Sequence, residues 1–319
     1  MWESIQALTP IIASIALFVA LGWWAAASLF SIAQQQFLTK YVSVVLIPIW
    51  LFASAVSVDL QQYFSLTILL SYFMAAALLI FVLNCVIKQH KAALTLASSY
   101  SNTLYFSIPI IELVLGSGAK DYALPIIMFN TLFILTSYEL AKQSARGKSL
   151  TLAQLHQIMI SSVKNPIVVG LLLGLIINIT LVDKITDELP SIVSITALIK
   201  TYSALPVLAL ALFSLGVSFQ SLPRQKQSCP WLAVLLKMLV FPMLVYIFAH
   251  YLFALTNLTV YVLVILAASP LAINSYFFVN NDKKAQVLIG RSIIQSSLLS
   301  VISIPVWILI LNMLLPISS

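Results

Sequence analysis

Residues 98–112 read Ser98-Ser99-Tyr100-Ser101-Asn102-Thr103-Leu104-Tyr105-Phe106-Ser107-Ile108-Pro109-Ile110-Ile111-Glu112, a polar, proline-bearing stretch in the middle of an apolar run. A second such stretch, Ser269-Pro270 followed by Asn274-Ser275, interrupts an apolar run in the other half of the chain. Proline has no backbone N–H and its ring clashes with the carbonyl one turn back, so each run is expected to kink or unwind there. Backbone groups freed in this way cannot face lipid; they must line a polar cavity or pair with each other. The matched interruptions therefore predict two broken helices that cross. Asn102 and Asn274 supply donors and acceptors at the crossing, and helix N-termini there present positive dipole ends that suit an anion.

Composition says which solvent surrounds these runs. Of 319 residues, 8% are charged and 61% hydrophobic, with a mean hydropathy of +1.07. A soluble domain carries about 25% charged residues, so a cytosolic enzyme, a secreted domain and a disordered regulator are all excluded. The formal charge of +7 is explained by basic residues in cytoplasmic loops, without nucleic acid as a partner. Cys85 and Cys229 are the only cysteines. With no CxxC and no histidine at metal spacing, neither a disulfide framework nor a metal site is expected, and no cofactor is implied. Glu3, with no Lys or Arg before Lys40, leaves the first apolar run without the basic start of a secretory signal, so it is expected to remain as a span.

Runs long enough to cross hydrocarbon as helix fall at about 8–30, 41–57, 65–87, 92–115, 121–140, 163–182, 192–218, 231–254, 258–279 and 287–314. The connections after the odd-numbered spans hold twelve basic residues, whereas the opposite side holds Lys120 and Lys184. This asymmetry places the odd-numbered loops inside and both termini outside. Ten spans divide into a first repeat, 1–140, a cytoplasmic loop, 141–162, and a second repeat, 163–319. An odd-numbered repeat that continues across the membrane must be inverted, which is the plan of many secondary transporters.

Single residues carry readings of their own. Pro109 and Pro270 are read as the helix breakers, and Ser99, Thr103 and Ser269 as hydroxyl contacts beside Asn102 and Asn274. Glu112, an ionisable group within a span, is the candidate for coupling; its competing and favoured reading is a side chain that snorkels to the outer interface. Lys237 and Arg291 are read as snorkelling too. Gly170 and Gly174 form GxxxG, a close-packing face that leaves a homodimer open. No phosphate loop, GxSxG elbow or HExxH is present, so ATP-driven transport and hydrolysis have no support.

Taken together, these motifs make the chain resemble the auxin efflux carrier family, which includes bacterial carriers and the plant PIN proteins. Asn102-Thr103 followed by Pro109 matches the family's Asn-Thr-Gly-x-x-Gly-x-Pro pattern, with Gly116-Ser117-Gly118 after it. Lys164-Asn165-Pro166 with Gly174 and Asn178, Ala204-Leu205-Pro206 with Leu215-Gly216-Val217-Ser218, Lys237 with Pro242, and Ser269-Pro270-Leu271-Ala272-Ile273-Asn274 complete the set. Leu104 and Ser107 depart from the pattern where it has glycine, and Leu271 replaces a frequent second proline.

The resemblance implies an all-α membrane protein of ten helices in two inverted repeats, with the fourth and ninth crossing at the midplane. It also implies elevator motion against a scaffold of the first, second, sixth and seventh helices. Its known substrates are small carboxylates such as auxin, malate or malonate. The expectation is a multi-pass carrier of a mono- or dicarboxylate in the cytoplasmic membrane, not an enzyme, with the carboxylate and the lipid bilayer as partners. A sodium-coupled symporter of the bile-acid-carrier type is the first alternative, though no acidic residue is clearly placed for sodium. A non-transporting ligand sensor is the second, though no soluble domain is appended.

Overall fold

The computed structural model describes residues 2–56, 58, 63–87, 90–116, 118–149, 151–188, 198, 206–207, 209–221, 230–279 and 282–315. The helices, in chain order, are α1 Trp2–Ser28, α2 Ile32–Val56, α3 Leu66–Val86, α4 Lys91–Ser99, α5 Thr103–Leu115, α6 Ala119–Ala145, α7 Leu152–Val163, α8 Pro166–Glu188, α9 Ala209–Ser218, α10 Trp231–Leu252, α11 Asn257–Ala268, α12 Ser275–Phe278 and α13 Lys283–Leu314. Among the described residues there is no strand. Helix is the only open form that satisfies every backbone group within one segment, so even runs such as Val260-Tyr261-Val262-Leu263-Val264-Ile265, rich in β-branched residues, are helical.

Five helices, α2, α3, α6, α10 and α13, are long and apolar enough to cross a bilayer. Ala16–Ser28, α5, Pro166–Thr180, α9 and α11 are shorter apolar helices. The expectation of ten full-length spans is therefore met in part among the described residues. About half of the span expected at 192–218 lies outside them, and α9 is its described end. The segment 141–162, expected as a loop, is mostly helical: α6 runs on to Ala145 and α7 occupies Leu152–Val163. The signal was local. Thr151 Oγ1 accepts from the Gln154 N–H at 3.3 Å while Gln154 Oε1 accepts from the Thr151 N–H at 3.0 Å, a reciprocal cap that starts a helix.

The described chain divides into two compact units. One comprises Leu17–Ser65 and Met159–Gln220, and its helices meet through glycine. A Cβ on Gly170 would lie 2.5 Å from the Pro48 carbonyl oxygen, and one on Gly174 would lie 2.6 Å from that of Phe52. The GxxxG face is thus spent within the chain, against α2. Gly22 meets the Phe213 carbonyl and Gly216 that of Val19 in the same manner. Asn178 Nδ2 donates to the carbonyls of Ala55, Val56 and Val58 at 3.2, 2.8 and 2.9 Å, satisfying acceptors that the end of α2 leaves without N–H partners.

The other unit comprises Met1–Ala16, Leu66–Ile158 and Ser221–Ser319. At its centre is α11, in which residues 260–268 are all 0% exposed; a helix apolar on every side is one surrounded by protein. Three prolines in this chain follow widened turns. The π turns Val42–Leu46, Thr103–Ser107 and Leu236–Val240 are each followed, one residue on, by Pro48, Pro109 and Pro242. The longer i→i−5 spacing makes room for the ring. Pro242 leaves the Met238 carbonyl without its usual donor, and Trp307 Nε1 donates to it at 2.9 Å.

Candidate functional site

The two interrupted helices of the larger unit meet backbone to backbone. Helix α4 ends at Tyr100, which is extended at φ −89° and ψ 107°, and α11 ends at Ser269, extended at φ −67° and ψ 151°. Ser101 and Leu271 pair in antiparallel fashion. The Asn102 N–H donates to the Pro270 carbonyl at 2.8 Å, and the Ala272 N–H donates to the Tyr100 carbonyl at 3.2 Å. The Leu271 N–H donates to Ser296 Oγ at 3.0 Å. Groups that each break frees are thus consumed by the other break and by α13, as a dry interior requires.

Side chains complete the junction. Ser107 Oγ and Ser269 Oγ share a hydrogen bond of 2.6 Å. Tyr72 Oη donates to Ser101 Oγ at 3.1 Å, and Lys237 Nζ donates to the same oxygen at 2.9 Å and also to the Ala267 carbonyl. Ala267 lies in the last turn of α11, where carbonyls have no helical donor, so Lys237 caps that helix. Its placement in the π turn of α10 aims it inward, and it is 0% exposed. The snorkelling expected of Lys237 does not occur. Arg291 is half-buried on α13.

Asn102 is 3% exposed. Its Oδ1 accepts from the Tyr105 N–H at 3.3 Å, capping α5, while its Nδ2 is buried with no hydrogen-bond partner. This Asx-type cap, and not proline, makes the first break: Pro109 sits downstream, in the first turn of regular α-helix after the π turn. Pro270 does lie within the second break. Thr103 is buried beside Asn102, whereas Asn274 is exposed at the start of α12. Ser99 Oγ donates to the Thr95 carbonyl at 2.6 Å and Ser269 Oγ to that of Ile265 at 3.0 Å, so both hydroxyls serve their own helices. Helix α12 spans four residues, too short for an appreciable dipole, so α5 alone offers a positive end here.

Glu112, in the last turn of α5, has a buried partner. It pairs with Lys120, and the two side chains are 8% and 2% exposed. Gly116, at φ 88°, turns the chain between them. Among the described residues no group of three His, Cys, Asp or Glu side chains converges as metal ligands do.

A family model described as a membrane transport protein matches residues 7–308. The chain belongs to the auxin efflux carrier family. It is accordingly a membrane transporter, and its several apolar helices are those of a multi-pass protein. A search of curated proteins returned no match. Two departures from the family's motifs acquire a physical sense at the junction. Ser107 makes the bond to Ser269 that glycine has no atom for, and Leu271 supplies an N–H to Ser296 that proline lacks. Sequence reasoning missed Tyr72, Ser101 and Lys237 as parts of this junction, because only the fold reveals that they share one oxygen.

Proposed function

We propose that this auxin efflux carrier family member is a secondary active carrier of a small organic anion, a mono- or dicarboxylate, held where the two breaks meet. The observation that carries the reading is the Asn102 amide: a buried Nδ2 donor with no partner, on a side chain already oriented by the Tyr105 N–H. A buried donor left unsatisfied costs about 1–3 kcal/mol, and a carboxylate oxygen relieves that cost with a charge-assisted bond. The N-terminus of α5 adds its dipole with the same sign. Thr103 and the exposed Asn274 are the further substrate contacts.

The wider plan belongs to the same proposal: ten helices in two inverted repeats, fourth and ninth crossing at the midplane, both termini outside in the cytoplasmic membrane. The division into units supports an elevator. Leu17–Ser65 and Met159–Gln220 hold most of the first expected span, the second, the sixth and the described part of the seventh, which are the ones the family assigns to the scaffold, and both breaks belong to the other unit.

Uptake of labelled malate and malonate into proteoliposomes tests the reading. Saturable uptake of a carboxylate, absent for the uncharged amide of the same compound, is expected. Equal uptake of acid and amide, or none of any mono- or dicarboxylate, overturns it.

A further inference from the structure

Away from the junction, the larger unit contains a half-open cavity of about 310 Å³. Its polar lining is His90 and Lys91 at the start of α4, Tyr138, Lys142 and Arg146 at the end of α6, and Asp282 at the start of α13. None of these residues takes part in the junction.

The charge balance of the cavity is incomplete. Lys142 is 3.1 Å from Glu139 Oε2 and lies over the Tyr138 ring. Asp282 directs Oδ1 at the N–H groups of Lys284 and Ala285, at 3.0 and 3.1 Å, as the cap of α13. Lys91 and Arg146 have no ion pair among the described residues. Lys142 and Arg146 have an ordinary reason to be where they are, since cations complement the negative end of α6. Lys91 has none. It opens α4, where the dipole is positive, and it follows His90, which is left-handed at φ 55° and ψ 25° and makes no side-chain cap. Asp282 in the lining and Glu139 beside Lys142 offset two of the three positive charges, so a cation at a positive helix end in this cavity leaves an excess that an anion would neutralise.

We propose that this cavity is a second anion site, separate from the substrate junction, that takes a phosphate-type oxyanion. Three cationic side chains from two helices, with the uncapped first turn of α4, offer donors from several directions, which suits a tetrahedral oxyanion better than a planar carboxylate. The phosphate comes from a soluble ion or from an anionic lipid headgroup, and the chemistry of the contacts is the same for both. Its occupant ties the start of α4, the arm that runs into the first break, to the end of α6.

Full-length protein in a zwitterionic detergent is titrated with sodium phosphate against sodium chloride at matched ionic strength, reading the melting temperature. In parallel, it is placed in nanodiscs of phosphatidylcholine with or without phosphatidylglycerol, reading retained lipid by native mass spectrometry. A saturable response to phosphate assigns a soluble occupant, and selective retention of phosphatidylglycerol assigns a lipid. Lys91→Gln with Arg146→Gln should weaken whichever response is seen by about tenfold or more. Lys283→Gln with Lys284→Gln, exposed charges outside the lining, should leave it unchanged. Asn102→Ala should also leave it unchanged, which separates failure here from failure of the carrier reading. No response to either probe, or one that survives in the Lys91/Arg146 variant, overturns the site.

Discussion

The Asn102 backbone N–H and the Pro270 carbonyl are joined by a 2.8 Å hydrogen bond, although 168 positions separate the two residues in the chain. Each belongs to a helix that stops short, and each would be an orphan in hydrocarbon without the other. Their pairing leaves the Asn102 side chain free for a different task. Its Oδ1 caps α5 and its Nδ2 is held in reserve.

Asn102→Ala should reduce carboxylate affinity by about ten- to hundredfold, the loss of one hydrogen bond to a charged group. Asn178→Ala should do the reverse: it removes the donor shared by the Ala55, Val56 and Val58 carbonyls, lowering the melting temperature while affinity stays near wild type. Isothermal titration and thermal unfolding of the two variants check the contrast. Equal loss of affinity in both would move the site away from Asn102.

Lys237→Met keeps the unbranched shape and most of the length of the side chain and removes its donor. The Ala267 carbonyl and Ser101 Oγ then lose a partner, so stability should fall by about 1–3 kcal/mol. Denaturant unfolding measures this, and an unchanged midpoint would show that Lys237 is not needed to cap α11.

Glu112→Gln leaves Lys120 buried opposite an uncharged amide. Breaking a buried pair by removing one partner costs about 3–5 kcal/mol, so the single variant should be strongly destabilised. Adding Lys120→Met should recover most of the loss. A Glu112→Gln protein as stable as wild type would mean the pair is dispensable.

Gly170→Val and Gly174→Val should each lower the melting temperature, because backbone atoms of α2 occupy the space a Cβ needs; overpacking of this kind costs about 1–3 kcal/mol. At Gly118, around which nothing lies within 4 Å, alanine should be silent. Thermal unfolding in detergent compares the three.

Sidedness is open to direct labelling. Once Cys85 and Cys229 are replaced, a cysteine at Ser144 should react with an impermeant maleimide only from the cytoplasm, and one at Asp187 only from outside. The opposite pattern would refute the proposed orientation and the inverted repeat with it.

The amino-acid sequence by itself determined what depends on local chemistry. Long apolar runs must be helical in lipid, and a cluster of polar residues with an asparagine that can cap a helix stands out inside such a run. The family motifs likewise reside in contiguous residues. The tertiary structure alone decided what depends on which helices are neighbours. Proline was read as the breaker at both sites, yet at Pro109 the backbone absorbs the ring in a π turn and Asn102 makes the break. In the sequence, Glu112 and Lys237 read as snorkelling side chains and Lys120 as a charge in the connection that follows. A long side chain reaches water or a buried partner with equal ease by its own geometry, so the choice rests on what stands beside it: Lys120 across the Gly116 turn, and Ser101 and Ala267 from two other segments.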